Sequence, residues 1–570
     1  AKRFNRDSVD KITSLNIPSA LAFSQGEIYV NSDNLDLYWS VLPNGKTTDV
    51  RKLVSLLLRM IGFKSTSGDI TSVTPAQIGD KIWRYLKHHP YVSTLRINAI
   101  NPGDGLLVLN AIREIQKIPE YEHLNYDVAF YGDLRYEVMG SSFDDLMEEV
   151  IVSEGMQSDV DEALLQPNKN PLFPKLIFSK LRVQEADWKT THLREAHISI
   201  LVDRFSTKVL TRPILKKAGS FCLHNLLAEY KEDFDLKGDS ATWSRKVVPN
   251  QNSEITAGDS SAETIYKLDD LILRTSSCTY DWGNSLDKVP AIQLELSDVD
   301  KYIINNIHEN SDWVLTIDRN FGIQYFDNPS AATGVRSYLI DYTPEFLDGL
   351  GHRLIVSTYW LSEVECIIRD GLNKMGVPGT GFHATQILDV LKSISGKLAL
   401  KLINNPVDAR EIIGLALTRL MLEEKGELAN AALIPVDSHI DLFADHKRQS
   451  QNSEVKLHRS DLILAKVKDG CVCFKLIEVK FRSGTGGPAE EFALKDAIVV
   501  KNANTKAVLE SRFLPLASVA EGTERLDREI QNKQLTNLLQ FYYERSKRHG
   551  LTQTEGSATQ ALDDYMDKIG

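Results

Sequence analysis

The chain has 570 residues, of which 42% are hydrophobic and 25% are charged. Single hydrophobic cores stop growing near roughly 250–300 residues, so we expect several domains of ordinary globular composition. No apolar run approaches the roughly 20 residues of a membrane span, and the first residues lack the apolar core of a signal peptide, which predicts a cytoplasmic protein without a membrane partner.

The charge is unevenly distributed along the chain. The net charge is -12, but residues 447–548 contain 19 Lys and Arg against 13 Asp and Glu, and the remainder contains 47 against 65. Because phosphate neutralisation supplies most nonspecific affinity for nucleic acid, the basic segment is the part expected to contact DNA. Because the remainder is acidic, we do not expect the whole chain to bind DNA nonspecifically by itself.

The cysteine pattern indicates a reducing environment. The five cysteines are scattered and include no Cys-x-x-Cys pair. Cys471 and Cys473 alternate in a strand-like run and therefore face the same side. We predict a structural, apolar role for both rather than a zinc site.

Residues 1–205 mix helical and strand patterns, which predicts an α/β domain of unknown role. A turn at Pro102–Gly105 leads into one of the helices. The predicted helices are Asp49–Ile61, Pro75–His88 and Leu106–Gln116. The predicted strands are Leu95–Ile100, Tyr126–Tyr131 and His197–Asp203, the last with the apolar run of a buried parallel strand.

Residues 206–350 are richer in polar and turn-forming residues, and we predict a smaller, β-rich middle region that includes a strand at Trp313–Asp318. Residues 351–570 form the third predicted domain. Apolar residues recur there at helical spacing, around a strand that begins at Leu433 and the hairpin described next. The predicted helices are Tyr359–Lys374, Thr385–Leu402, Asp408–Lys425, Pro488–Val508 and Asp527–Arg548.

The segment Arg459–Arg482 carries the chemistry that stands out most. Asp461 opens one strand-like run, Asp469 and Gly470 mark a hairpin turn, and the second run ends in Glu478-Val479-Lys480. A tight turn between two apolar runs is a hairpin signal, so the two acids and the lysine are expected to meet at one end of the hairpin.

Two acids and a lysine at one point suit hydrolysis of a phosphodiester bond. A hard divalent cation held by carboxylates neutralises phosphate charge and lowers the pKa of bound water. Asp461, Glu478 and the carbonyl of Val479 are the candidate ligands. Lys480 lies two residues after Glu478, on the same side of the strand, and can hold the attacking water or the scissile phosphate. The alternative is a surface hairpin without a catalytic role, whose charged side chains are solvated.

This pattern resembles the PD-(D/E)xK nuclease superfamily, in which an Asp is followed, after a spacer, by Glu-x-Lys in an apolar strand. Here 17 positions separate Asp461 from Glu478, and Ser460 stands where the family usually has proline. The resemblance covers about residues 385–550. It implies a restriction-endonuclease-like α-β-β-β-α-β core, catalysis by Asp461, Glu478 and Lys480, and Mg²⁺ as cofactor with Mn²⁺ as a substitute.

Other residues are expected near this core. The family often has an acid on the first core helix, which makes Glu411 a candidate metal ligand; the alternative is an acid favoured by the positive end of the helix dipole. Arg482, Lys495 and Lys501 are candidate phosphate contacts, because such contacts are made mostly by Arg, Lys and backbone amides.

Asp437 and His439 follow the predicted strand that begins at Leu433. Each is either a neighbour of the active site or a residue that caps a loop.

The sequence shows no ATP-hydrolysing motor of its own. Gly45-Lys46-Thr47 lacks the earlier glycine of a P-loop, since Ser40 occupies that position. By analogy of architecture, we expect an antiphage or restriction nuclease regulated by its N-terminal region or by a partner such as an FtsK/HerA-type ATPase. The alternative is a catalytically silent DNA-binding or scaffold subunit of a larger complex.

Overall fold

The structure of the chain is a computed structural model. It describes residues 20–23, 26–30, 39–42, 73–152, 159–165, 175–205, 207–213, 228–237, 240–249, 288–318, 321–327, 338–343, 353–358, 360–374, 376, 378–395, 398, 409–429, 431–439, 459–468, 471–480, 487–513, 535, 538–546 and 549. The helix predicted at residues 49–61 lies outside the described residues.

The strands, in chain order, are β1 (Ala20–Phe23), β2 (Gly26–Val30), β3 (Trp39–Leu42), β4 (Thr94–Ile100), β5 (Asn125–Gly132), β6 (Leu176–Arg182), β7 (Ala196–Val202), β8 (Thr207–Pro213), β9 (Ala228–Lys237), β10 (Ser240–Pro249), β11 (Lys288–Glu295), β12 (Ser311–Asp318), β13 (Leu339–Thr343), β14 (Arg353–Thr358), β15 (Ala431–Pro435), β16 (Leu462–Lys468) and β17 (Cys471–Ile477).

The α-helices are α1 (Pro75–His88), α2 (Leu106–Gln116), α3 (Ser141–Val152), α4 (Asp159–Leu165), α5 (Asp298–Glu309), α6 (Ser362–Lys374), α7 (Gly381–Ile394), α8 (Ala409–Glu424) and α9 (Pro488–Arg512). None of these described helices is long and apolar enough to cross a membrane. Helices and strands alternate through much of the chain, and the protein is an α/β protein with more than one compact unit.

Two compact units divide the chain. The first comprises Ala1–Tyr325 and Leu350–Val356, and the second comprises Phe326–Gly349 and Ser357–Gly570. In the first unit, the main sheet has the strand order β6-β5-β4-β7-β12-β14. The pairs β6/β5, β5/β4, β4/β7 and β7/β12 are all parallel. Its central strands are buried along most of their length, which explains their near-continuous apolar sequence.

The order of strands in the main sheet changes direction between β4 and β7. At that point the side-chain amide of Asn101 donates hydrogen bonds to the carbonyls of Val202 and Asp203, at 2.8 and 2.9 Å. Ligands of open α/β sheets bind beside the carboxyl ends of the strands at such a point. In this protein the amide nitrogen of Asn101 already donates hydrogen bonds that join the ends of β4 and β7.

The predicted turn between β4 and α2 is confirmed. Asn101, Gly103 and Gly105 have φ angles of 54°, 62° and 80°, in the left-handed region. A Cβ on Gly105 would lie 3.1 Å from the Cα of Gly140, so this close approach requires glycine. Helix α2 then begins at Leu106, as predicted.

The first unit also contains antiparallel sheets. One has the order β8-β11-β10-β9, and a smaller one has the order β1-β2-β3. The strand predicted at Trp313–Asp318 is present within β12, and it pairs in parallel with β7. It therefore belongs to the main sheet rather than to the separate β-rich region in which we predicted it.

The second unit contains helices α6, α7 and α8 followed by the sheet β15-β16-β17, α9 and helical residues at 538–546. Both strand pairs of this sheet are antiparallel. The helices predicted to begin at Tyr359, Thr385, Asp408 and Pro488 are confirmed, with ends shifted by several residues. The order from α8 to α9 is α-β-β-β-α, and no strand after α9 is among the described residues.

One face of this sheet is covered by α9 and the later helical residues. Ile434, Ile463 and Ala465 of the sheet lie in one buried cluster with Leu509 of α9 and Tyr542. Alternate residues of β17 pack against the same cluster, as the two-residue period of a strand requires. The hairpin is thus packed on one face against α9 and the helical residues at 538–546.

Candidate functional site

The open end of the β16/β17 hairpin is where the predicted acids lie. The Asp461 N–H donates to the carbonyl of Ile477 at 3.1 Å, and the Asp461 carbonyl accepts from the N–H of Val436 at 3.0 Å. Asp461 is therefore held by its backbone to the neighbouring segments on both sides. This arrangement places it beside Glu478, as the hairpin pattern predicted.

The Asp461 side chain ends the regular pairing of β17. Its Oδ2 accepts a hydrogen bond of 2.6 Å from the N–H of Val479. Strand β17 ends at Ile477, so the Glu-x-Lys motif follows the strand rather than lying inside it as we predicted. The physical reason is that the Val479 N–H binds a side-chain carboxylate in place of a carbonyl on the next strand.

Glu478 is the most buried charged group at this end of the hairpin, with a side-chain exposure of 0%. Its Oε1 lies 2.6 Å from the Nζ of Lys480 and 2.6 Å from the Nζ of Lys501, which extends from α9. Its Oε2 is buried and has no hydrogen-bond partner among the described residues. A buried carboxylate oxygen without a partner costs free energy, so this atom requires an explanation.

The electrostatics of the site follow from burial and from its mixed charges. Burial raises the pKa of Asp461 well above its ordinary value, and the charge of Glu478 acts in the same direction. The hydrogen bond from Val479 and the charges of Lys501 and Lys480 oppose this shift. For Lys501, burial acts to lower the pKa, but Glu478 and Asp461 outweigh it and the pKa is raised.

Helix α9 is hydrogen-bonded to Ser460, the residue that precedes Asp461. The N–H of Ser460 donates to Thr505 Oγ1 at 2.8 Å, and its hydroxyl donates to Asn502 Oδ1 at 2.7 Å. Ser460 is fully buried. Ser460 therefore connects the segment that carries Asp461 with the helix that supplies Lys501.

These contacts of α9 were missed by the sequence reasoning, although a signal was present. Lys501, Asn502 and Thr505 are spaced one, three and four residues apart, and residues three and four apart share a helix face. Three polar residues on one face of a helix after the hairpin mark that face as directed towards the site.

The residues present fit a hard divalent cation held by few protein ligands. No group of three or more His, Cys, Asp and Glu residues that could hold a metal ion occurs in the described part of the chain. Mg²⁺, however, commonly uses one or two carboxylates, with water and substrate phosphates completing its ligands. Asp461, Glu478 through its unpartnered Oε2, and the carbonyl of Val479 would supply suitable oxygen atoms.

The other predicted site residues have different outcomes. Lys501 is brought to Glu478. Lys495 is exposed and pairs with Glu491 one turn earlier on α9, at 2.7 Å. Glu411 lies in the first turn of α8 and is exposed, where an acid is favoured by the helix dipole. Arg482 lies outside the described residues.

The two candidates after β15 lie in a 3-10 turn, Val436–His439. His439 is buried, and its Nε2 lies 2.7 Å from the hydroxyl of Tyr542. This hydrogen bond joins the turn to the helical residues at 538–546. Asp437 is exposed.

The prediction of an apolar structural role for the hairpin cysteines is wrong for Cys473, which is an exposed free cysteine. The larger apolar residues Phe474 and Leu476, with Val472, occupy the face of β17 that meets the core. Cys473 therefore falls on the opposite face. Lys475 lies on that face too, and pairs with Glu427 at 2.7 Å.

Comparison with known proteins adds no identification. No protein-family model matches the chain, and no curated protein matches it. One solved structure that matches is the crystal structure of MnmC2 from Aquifex aeolicus, with 12% sequence identity, 34% of this chain and 72% of that chain covered, and a TM-score of 0.14. A likeness this weak shows neither a fold nor a function for this chain.

Proposed function

We propose that the second unit contains a Mg²⁺-dependent nuclease module that hydrolyses phosphodiester bonds in DNA, with Mn²⁺ as a substitute cation. One observation carries the proposal. The side chain of Glu478 is fully buried at the end of the hairpin, beside Asp461, and one of its oxygens has no partner among the described residues. A bound cation would satisfy this oxygen and remove the free-energy cost of leaving it unpaired.

The roles of the residues follow from their positions. Asp461 and Glu478 hold the cation, which on binding neutralises phosphate charge and lowers the pKa of a bound water molecule. Lys480 has 26% of its side chain exposed, so its ammonium group can reach a phosphate oxygen or the attacking water. Ser460 keeps Asp461 in register with α9.

The reaction is a hydrolysis and needs no oxidant or other co-reactant. The oxygen of water bonds to phosphorus, one P–O ester bond breaks, and the departing oxygen receives a proton. The products are a hydroxyl end and a phosphate monoester end. Lys480 opposes the negative charge that the phosphate oxygens carry during this exchange.

The cellular setting is part of the same proposal. The module would be the effector of an antiphage or restriction system, governed by the rest of the chain or by a partner ATPase. The excess of 65 acidic over 47 basic residues outside residues 447–548 supports external control, since that part disfavours contact with DNA.

A second candidate is a catalytically silent subunit that binds DNA or joins a larger complex. One observation favours it: the two acids are already offset by two lysines, because Lys480 and Lys501 both lie against Glu478. A site whose charges balance internally can be a stable structural feature without a cation.

The test is cleavage of linear, supercoiled and single-stranded DNA by the purified chain with Mg²⁺ or Mn²⁺. Glu478→Gln and Lys480→Met should each lower the cleavage rate by about 10³-fold or more, the scale expected when a charged group that stabilises the transition state is removed. Lys475→Met is the matched control, because Lys475 lies on β17, shortly before Glu478, but pairs with Glu427 outside the site.

Equal cleavage by the wild-type chain and Glu478→Gln would refute the proposal. DNA binding without cleavage by the wild-type chain under every condition would favour the silent subunit instead.

A further inference from the structure

Two ammonium groups share a single oxygen atom of Glu478. The Nζ atoms of Lys480 and Lys501 each lie 2.6 Å from Oε1, and Oε2 is left without a partner among the described residues. A carboxylate oxygen has two lone pairs, so these two lysines use the hydrogen-bonding capacity of Oε1. Both lysines therefore contact the same oxygen of Glu478, and neither contacts Oε2.

The two lysines reach Glu478 from different parts of the fold. Lys480 is two residues away on the same segment, so its position is tied to that of Glu478. Lys501 extends from the middle of α9, and 22% of its side chain is exposed. Its flexible four-carbon stem can turn towards solvent without a movement of the helix or the hairpin.

We infer that Lys501 is a displaceable counter-ion, which neutralises Glu478 in the cation-free site and withdraws from Oε1 when a divalent cation binds. This inference rests on the proposed nuclease function. A divalent cation held by Glu478 would repel both ammonium groups, because each already lies 2.6 Å from Glu478 Oε1 and like charges repel strongly in a partly buried site. Withdrawal of Lys501 removes one of the two repulsions and leaves Lys480 in place.

A regulatory consequence follows from this competition. The ammonium group of Lys501 and the cation repel each other when both lie against Glu478, even on different oxygens, so Lys501 weakens cation binding. The site is then loaded only when the free cation concentration is high enough to displace the lysine. Once displaced, Lys501 lies beside the site and faces solvent, where it can pair with a DNA phosphate.

The experiment measures Mn²⁺ binding to the full chain by isothermal titration calorimetry, without DNA. Lys501→Met should bind Mn²⁺ at least about tenfold more tightly than the wild-type chain, because one repelling charge has been removed from the site. Lys501→Arg retains the charge and should bind within about threefold of wild type. Glu478→Gln should lose the binding event.

Lys506→Met is the matched control, because Lys506 lies on the same helix, is exposed and pairs with Glu510 away from the site. Its Mn²⁺ affinity should equal that of the wild-type chain. Circular dichroism melts identify any variant that fails to fold; Lys501→Gln replaces Lys501→Met in that event and should show the same tighter binding.

The outcomes separate this inference from the proposed function. Unchanged or weaker Mn²⁺ binding by Lys501→Met, with binding still lost in Glu478→Gln, would overturn the counter-ion role and leave the cation site standing. Equal Mn²⁺ binding by Glu478→Gln and the wild-type chain would overturn the cation site itself.

Discussion

Two kinds of polar group, one from each unit, obtain their partners in different ways. In the first unit, the buried neutral side chain of His308 lies 2.6 Å from the carbonyl of Ile304, and the partly buried Asn101 donates to two carbonyls at the strand ends. In the second unit, the buried Arg545 pairs with Asp327, and the buried carboxylate of Glu478 pairs with two lysines.

The difference indicates where chemistry is to be expected. A neutral group that is hydrogen-bonded to backbone costs little free energy to bury and indicates a structural role. A buried charge costs much more unless every lone pair has a partner. Asn98 Oδ1 of the first unit and Glu478 Oε2 of the second both lack a partner among the described residues. The carboxylate oxygen carries charge and is the more expensive of the two to leave unpaired.

The second unit also contains a buried ion pair, Arg545–Asp327, in which both carboxylate oxygens have partners. The guanidinium of Arg545 binds both oxygens of Asp327, at 2.8 and 2.9 Å, and also the carbonyls of Ser393 and Lys392. His549 Nε2 lies 3.0 Å from the same carboxylate. Both carboxylate oxygens of Asp327 have partners, so we interpret the Arg545–Asp327 pair as a structural ion pair and not as part of the candidate site.

The largest expected effect on stability comes from breaking that pair. Arg545→Met should destabilise the second unit by about 3–5 kcal/mol, because the variant leaves the buried Asp327 without its main counter-charge. Urea unfolding followed by hydrogen exchange in peptides of β16 measures this change. A loss below about 1 kcal/mol would mean that the pair is not buried as described.

The next prediction concerns pH and the first unit. Burial lowers the pKa of His308 to about 4, while its hydrogen bond to the Ile304 carbonyl acts in the opposite direction. Below the unfolded value of roughly 6.5, the unfolded chain binds a proton that the folded chain does not. The stability contributed by a neutral His308 is therefore complete above that pH and is lost as the pH falls towards 4.

The expected loss across that window is about 3 kcal/mol in the free energy of unfolding of the first unit. His308→Gln should show a shallower dependence between pH 4 and 6.5, measured by urea unfolding with hydrogen exchange in peptides of β12. Identical slopes for the variant and the wild-type chain would contradict a neutral, buried His308.

A smaller effect is expected at the junction of β4 and β7. Asn101→Ala loses two hydrogen bonds and places alanine at a φ of 54°, so it should cost about 2–3 kcal/mol. Asn101→Gly loses the same bonds without the strain and should cost about 1 kcal/mol less than alanine. Thermal melting compares the two, and equal costs would mean that the positive φ carries no strain.

The smallest effect is expected for the exposed pair of Lys475 and Glu427. Lys475→Met should change the stability of the second unit by less than about 1 kcal/mol, because exposed ion pairs contribute little. The same melts measure it in low and high salt. A loss comparable to that of Arg545→Met would mean that the exposed and the buried ion pair contribute equally to the stability of this unit.

The sequence predicted local features well where a short pattern determines them. Helix α2 follows a turn with glycine at positions of positive φ, and α1 begins at Pro75 after Thr74, which caps it together with Gln77. The end of the hairpin was predicted because Asp461 and Glu478 flank two apolar runs. Each of these features depends on residues close together in the chain.

Contacts between distant residues could not be predicted in the same way. Asp327 and Arg545 are 218 positions apart, and nothing in the periodicity around either residue identifies the other. Ser460 was recognised only as a departure from a family pattern, although it joins Asn502 and Thr505 of α9. Lys501 was predicted as a phosphate contact, but its pairing with Glu478 depends on how α9 packs on the sheet.

Hydrogen exchange of β16 and β17 with and without Mg²⁺ tests most directly whether Asp461 and Glu478 hold a cation. Saturating Mg²⁺ should slow exchange there, by about 100-fold at 100 times the dissociation constant, while peptides of the main sheet in the first unit are unchanged. Glu478→Gln should abolish the difference. Equal exchange with and without Mg²⁺ in the wild-type chain, or an equal response in Glu478→Gln, would contradict a cation site at Asp461 and Glu478.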